Sequence, residues 1–258
     1  MKKQWMLPAL ALVSGAAAFA LRLWQNATGF EEETGLAVPG VFAGTALPLL
    51  LVLTGAAALI LGRRLPKRVK SPAFAALFSI GETTDLLLPV MGAFLMAISG
   101  AADAATGLGV LPGACFAPAA HLLLGLLTVV SAGGFLLAAS ACRHRQEIFQ
   151  GALVLPAAVM LVVRLVLVYR VFSTDPTLEG YYVELLALVF LALAFFHLAG
   201  FAFDDARPRR FAASTVMAAV FSMAALADRG SIPALALYAG GSLTLLGFLA
   251  VYDTRTDM

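Results

Sequence analysis

Arg164 stands deep inside an apolar run that opens at Gly151, and His197 stands in the next run, which closes at Phe203. Only the short polar turn Ser173–Thr177 separates the two. Each run is long enough to cross a bilayer, which takes about 20 helical residues. An ionisable side chain in a spanning helix is costly unless paired or hydrated, so it marks a candidate functional site. A guanidinium does not deprotonate in proteins. Arg164 therefore needs a carboxylate, backbone carbonyls or water. Within the hairpin, Glu184 is the carboxylate nearest in depth, and an antiparallel pair of helices lets the two approach. His121 falls at a similar level, with Arg170 and Tyr181 near the same end. His121, Arg164, Arg170, Tyr181 and Glu184 make a candidate pocket for a small ligand, an anion among the possibilities. The plainer reading is a structural Arg164–Glu184 pair locking two helices, with Arg170 snorkelling to the interface.

Glu82 and Asp85 are spaced i, i+3 and share one helical face. They are candidates for a cation or proton site, or else an interfacial break beside the basic segment that precedes them. His197 lies near the inner end of its run, placed for a proton relay or for hydrogen bonding at the interface.

Other chemistries find no residues. No apolar run contains a lysine, which excludes a retinal Schiff base. No Walker A, Gly-x-Ser-x-Gly, His-Glu-x-x-His or Gly-x-Gly-x-x-Gly motif occurs. Cys115 and Cys142 sit at opposite ends of one apolar run, too far apart for a disulfide. Without a Cys/His cluster no metal is expected, and no cofactor. No nucleophile, base and orienting group can be named together, so an enzyme is not expected. A net charge of +2 does not point to nucleic acid.

The elements that must position these side chains follow from composition. The chain is 61% hydrophobic and 12% charged, with mean hydropathy +0.93. A soluble domain carries about twice that share of charge. Runs such as Leu49–Leu53 lack the alternation of barrel strands, so the spans are helices. The reading is an all-α membrane protein, one domain over 1–258, with eight transmembrane helices. Spans are expected from near Trp5 to Trp24, Val41–Leu61, within Pro72–Gly100, Pro118–Ala141, on the two arms of the hairpin, Phe211–Leu226 and Ile232–Val251. In the third region, either 73–80 lies along the interface and the span starts near Thr84, or one long tilted helix carries Glu82 and Asp85 inward. Residues 101–113, with Asp103, read as a loop.

Trp5 and Trp24 are about 28 Å apart on a helix, one for each interface. That favours retention of the first span over cleavage after Ala18-Phe19-Ala20. Except for Arg22, Arg164, Arg170 and Arg229, every Lys and Arg falls in alternate connecting segments or the termini. The positive-inside rule then puts both termini in the cytoplasm. Arg63, Arg64, Lys67, Arg68 and Lys70 form the densest basic run, an anchor for topology or a site for anionic lipid headgroups. Leu7-Pro8-Ala9 and Leu155-Pro156-Ala157 hint at a weak four-plus-four repeat, 1–148 and 149–258. Gly40-x-x-x-Gly44 and Gly240-Gly241-Ser242 offer close helix packing.

The segment Thr174-Asp175-Pro176, Tyr182-x-Glu184-Leu185 and Phe196-His197-Leu198-Ala199-Gly200-Phe201-Ala202-Phe203 resembles a recurring pattern in bacterial multispan membrane proteins. The resemblance implies a shared multispan fold in the inner membrane and no particular activity. Two function classes stand: transport or binding of a small ligand near the fifth and sixth spans, or a non-catalytic sensor or accessory subunit, with a protein partner or a second copy.

Overall fold

The computed structural model describes residues 6–31, 36–38, 40–69, 74–78, 83–144, 150–173, 178–203, 205–228 and 230–255. Among these, the helices are α1 (Met6–Thr28), α2 (Phe42–Gly62), the short α3 (Phe74–Leu77), α4 (Leu87–Gly107), α5 (Pro118–His144), α6 (Gln150–Phe172), α7 (Leu178–Gly200), α8 (Pro208–Ala225) and α9 (Ile232–Arg255). A 3₁₀ turn, Thr83–Leu86, leads into α4. Of the eight long helices, seven are long and apolar enough to cross a membrane. The exception is α8, with 18 residues and an Arg209-Arg210 start. It packs against α1, α2, α7 and α9, and nearly all of its Ala, Ser and Val side chains are buried. A helix enclosed by protein does not need the hydropathy that lipid demands of its neighbours.

The chain is packed with small residues inside and large apolar ones outside. Ala93, Ala132, Ala157, Ala187, Ala218 and Ala219 are buried. Val13, Val52, Leu59, Phe94, Leu126 and Val166 are mostly exposed. Water would penalise that surface, and hydrocarbon would not. Buried Thr54, Thr128, Ser131 and Thr244 donate to the carbonyl four residues back, so their hydroxyls cost little in an apolar setting.

Successive long helices alternate in direction, so the bundle has two ends. The basic end holds Arg63, Arg64, Arg143, Arg207 and Arg209. There Arg64 donates to both oxygens of Asp253 at 2.9 and 2.7 Å, and Arg209 Nε donates to the Leu65 carbonyl at 2.5 Å. The Val69 N–H bonds the Ala206 carbonyl at 3.1 Å. The α2–α3 connection is thereby tied to the start of α8 and the end of α9.

The third apolar region does break before α4. The long helix starts beyond Thr84, as the first alternative expects, and the piece before it packs on the bundle. Phe74 and Phe78 are buried in the bundle, and Phe78 sits within 5.2–6.4 Å of the Phe201, Phe211, Phe248 and Tyr252 rings. The two rings close the basic end of the core. Asp85 lies in the 3₁₀ turn, half-buried, and Glu82 lies outside the described residues.

The loop expected over 101–113 is shorter than that. α4 continues to Gly107, because Ala101-Ala102-Asp103-Ala104-Ala105 is dense in the best helix former. Asp103 is thus a helical residue with 0% exposure. α4 also crosses α9 closely. A Cβ on Gly240 would lie 2.7 Å from the Gly92 carbonyl oxygen, so Gly240 does serve close packing. Gly44 does not, since nothing lies near it, and Gly40 precedes α2 with φ 82°.

Candidate functional site

At the end opposite the basic one, α5, α6, α7 and α9 diverge around a cavity of about 320 Å³. Its mouth is formed by the exposed Cys115 and Gly230 and the half-buried Ser231. Its wall along α6 is Arg164, Val168, Val171 and Phe172, the spacing of one helical face. α7 adds Tyr181 and Glu184, again one turn apart, and α5 adds His121. A volume near 300 Å³ suits a small ligand.

Of the five residues expected to converge here, the structure brings together His121, Arg164, Tyr181 and Glu184. Arg170 is exposed and does not line the cavity. Six residues beyond Arg164, it is rotated to another face of the same helix.

Arg164 is 2% exposed and about 12 Å from the helix end at Phe172. Its carboxylate partner is Asp103, with Nη1 to Oδ2 at 2.7 Å, and the expected Arg164–Glu184 pair does not form. His121 Nδ1 lies 3.1 Å from the other oxygen, Asp103 Oδ1. His121 Nε2 accepts the Phe116 N–H at 3.2 Å. An accepting Nε2 puts the ring proton on Nδ1, where it donates to Asp103. Phe116 N–H, His121, Asp103 and Arg164 therefore form one chain, whose three side chains are buried on three helices, with Phe116 in the connection before α5. The Arg164 Nε–H has no acceptor among the described residues, so the guanidinium is only partly answered.

Glu184 turns to α9. Tyr238 donates its hydroxyl to Glu184 Oε1 at 2.7 Å. Tyr181 donates to the Phe172 carbonyl at 2.8 Å, and the two rings stack at 4.7 Å, which clasps the α6–α7 hairpin at the cavity rim.

A second arginine borders the site, unforeseen in the sequence. Arg22, 1% exposed, donates Nε to Asp228 Oδ1 at 2.7 Å and Nη2 to Oδ2 at 3.3 Å. Gln25 accepts Nη1 at 2.9 Å, and Tyr182 lies 5.6 Å beneath the guanidinium. Asn26 Nδ2 donates to the same Asp228 oxygen at 2.9 Å. Asn26 thus stands in the last turn of α1 with its amide engaged. Asp228 lines the cavity. The sequence signal was available: Arg22 closes one apolar run and Asp228 separates two others at the same end.

Among the described residues, the ion pairs at this end leave Glu184 out. Arg22 answers Asp228 and Arg164 answers Asp103. Glu184 faces the cavity with a neutral phenol as its hydrogen-bond partner.

His197 lies elsewhere, lining a separate cavity at the basic end. Cys115 is exposed and Cys142 buried, both as free thiols. Among the described residues no group of three His, Cys, Asp or Glu side chains is placed to hold a metal. Family models, curated proteins and solved structures offer no match to the chain.

Proposed function

We propose that this chain is a multispan membrane protein that binds a small ammonium compound in the cavity beside Arg164 and Glu184. The observation that carries the reading is the Glu184 carboxyl, which accepts a hydrogen bond from Tyr238 but pairs with no cation among the described residues, on a wall shared with aromatic side chains. An ammonium ion gains from a carboxylate and from ring faces in a partly desolvated pocket. Phe116, Phe172 and Tyr181 supply those rings. Arg164 does not repel such a ligand strongly, because Asp103 neutralises it at 2.7 Å.

An anionic ligand is the second reading, and the unpaired Nε–H of Arg164 favours it. Thermal shifts of the purified protein in detergent, over a panel of small amines and carboxylates, separate the two. Stabilisation by amines, lost in Glu184→Gln, supports the first. Stabilisation by carboxylates that survives Glu184→Gln replaces it with the second. No shift with either class counts against a ligand site and favours an accessory or sensor subunit.

Transport asks more than binding. Between the two ends the core is filled, with Phe135 ring-to-ring at 5.0 Å from Phe195 and 6.4 Å from Phe248. Uptake into proteoliposomes would therefore require these rings to separate during the cycle.

The orientation we infer places the basic end in the cytoplasm and the ligand cavity on the outer side, following the positive-inside rule. Reporter fusions after Arg68 and His144 should read cytoplasmic, and fusions after Leu108 and Ser173 should read external. An external signal at Arg68 would reverse the assignment.

A further inference from the structure

The second cavity, of about 360 Å³, lies at the basic end between α6, α7 and the start of α8. Its polar rim is His197, Asp205, Arg207 and Arg210. Asp205 already holds two guanidiniums, Arg207 at 2.8 Å and Arg68 at 3.1 Å. The hydrogen bond from Arg207, with the fields of Arg207, Arg68 and Arg210, holds the Asp205 carboxyl below its usual range. One carboxylate thus faces three arginines. Among the described residues no carboxylate pairs with Arg210, so the rim keeps an excess of positive charge. The start of α8 adds the positive end of its helix dipole.

Below that rim the cavity is apolar. Leu155 of α6 and Ala199 of α7 form its floor, with Phe196 and Phe203 beside them. Phe196 is 60% exposed and Phe203 48% exposed, on the surface we assign to lipid. A free anion would use the rim and gain nothing from these walls. An amphiphile uses both: its head meets the arginines, and its chains lie along the phenylalanines.

We propose that this cavity is a specific site for one anionic phospholipid, its phosphate held by Arg207 and Arg210 and its acyl chains laid along Phe196 and Phe203. Of the basic segment only Arg68 reaches this rim, through Asp205; Arg63 does not line the cavity, and Arg64 is committed to Asp253.

The test uses the full-length protein in nanodiscs of phosphatidylcholine with a minor fraction of phosphatidylglycerol. Native mass spectrometry then counts the lipid that stays bound on release. Wild type should retain phosphatidylglycerol over phosphatidylcholine. Arg210→Gln should lower that retention about fivefold, the effect of one arginine at an anionic surface. Arg63→Gln should leave it unchanged, and inorganic phosphate should not displace the lipid. Equal loss in Arg63→Gln would mean diffuse attraction, and displacement by phosphate would mean a free-anion site. Either result, or full retention in Arg210→Gln, overturns the proposal. Should Arg210→Gln fail to accumulate, a photoreactive phosphatidylglycerol on wild type decides. Labelling on the peptide carrying Phe196 and Phe203 supports the site, and labelling confined to other helices overturns it.

Discussion

Arg164→Leu should lower the unfolding free energy by about 3–5 kcal/mol, because it strands the fully buried Asp103 carboxylate with only a neutral imidazole beside it. Asp103→Leu should cost a similar amount by stranding the guanidinium. The double variant should recover most of the loss, since two apolar side chains of similar size leave no uncompensated charge in the bundle. Reversible unfolding in mixed micelles, run on all four corners of the cycle, measures the coupling. Additive single effects would show that the two groups do not depend on each other. The same cycle with Glu184→Leu is the control. Glu184 bonds Tyr238 and not Arg164, so it should show far weaker coupling to Arg164 than Asp103 does. Rescue of Arg164→Leu by Glu184→Leu would restore the hairpin pair expected from the sequence.

That expectation went astray for a physical reason. Depth in the membrane can be read from position in an apolar run, and it placed Arg164, His121, Glu184 and Tyr181 at one level. The four do meet around one cavity. Partnership depends on which helices are neighbours, and a single sequence does not order the helices. Asp103 was hidden because a stretch of alanine broken by one charge has the modest hydropathy of a loop, although alanine is the strongest helix former. Arg170 was included because it shares the level of the pocket, and the 3.6-residue period that turns it away was not applied within the run. Phe74 and Phe78 show a similar limit. Their short segment reads as interfacial by length, and nothing in the sequence shows that Phe78 finds four aromatic neighbours in the core. The helix number, in contrast, was legible, because lipid forces long apolar runs on every helix it touches. Even α8 was marked by its flanking charges, although its surroundings are protein.

The α4–α9 crossing should tolerate no side chain at Gly92. A Cβ there would meet the backbone nitrogen and the hydroxyl of Thr244, and would stand 2.6 Å from the Gly240 carbonyl oxygen. Backbone atoms cannot rotate away as a flexible side chain can, so the helices must separate. Gly92→Ala should cost at least about 1–3 kcal/mol, the usual range for overpacking a tight core. Gly92→Leu should not accumulate as folded protein in the membrane fraction. Gly133→Ala is the matched control, since nothing lies within 4 Å of its Cβ position. It should be neutral or slightly stabilising through helix propensity alone. The crossing also reaches the cavity beside Arg164. Tyr238 stands two residues before Gly240, on the stretch of α9 that displacement would move, and it holds Glu184 through one 2.7 Å bond. Gly92→Ala should therefore weaken amine stabilisation of the protein as well as lower its melting temperature, whereas Gly133→Ala should change neither. A Gly92→Ala protein with unaltered melting and unaltered amine response would show that α4 and α9 are not in contact at this glycine.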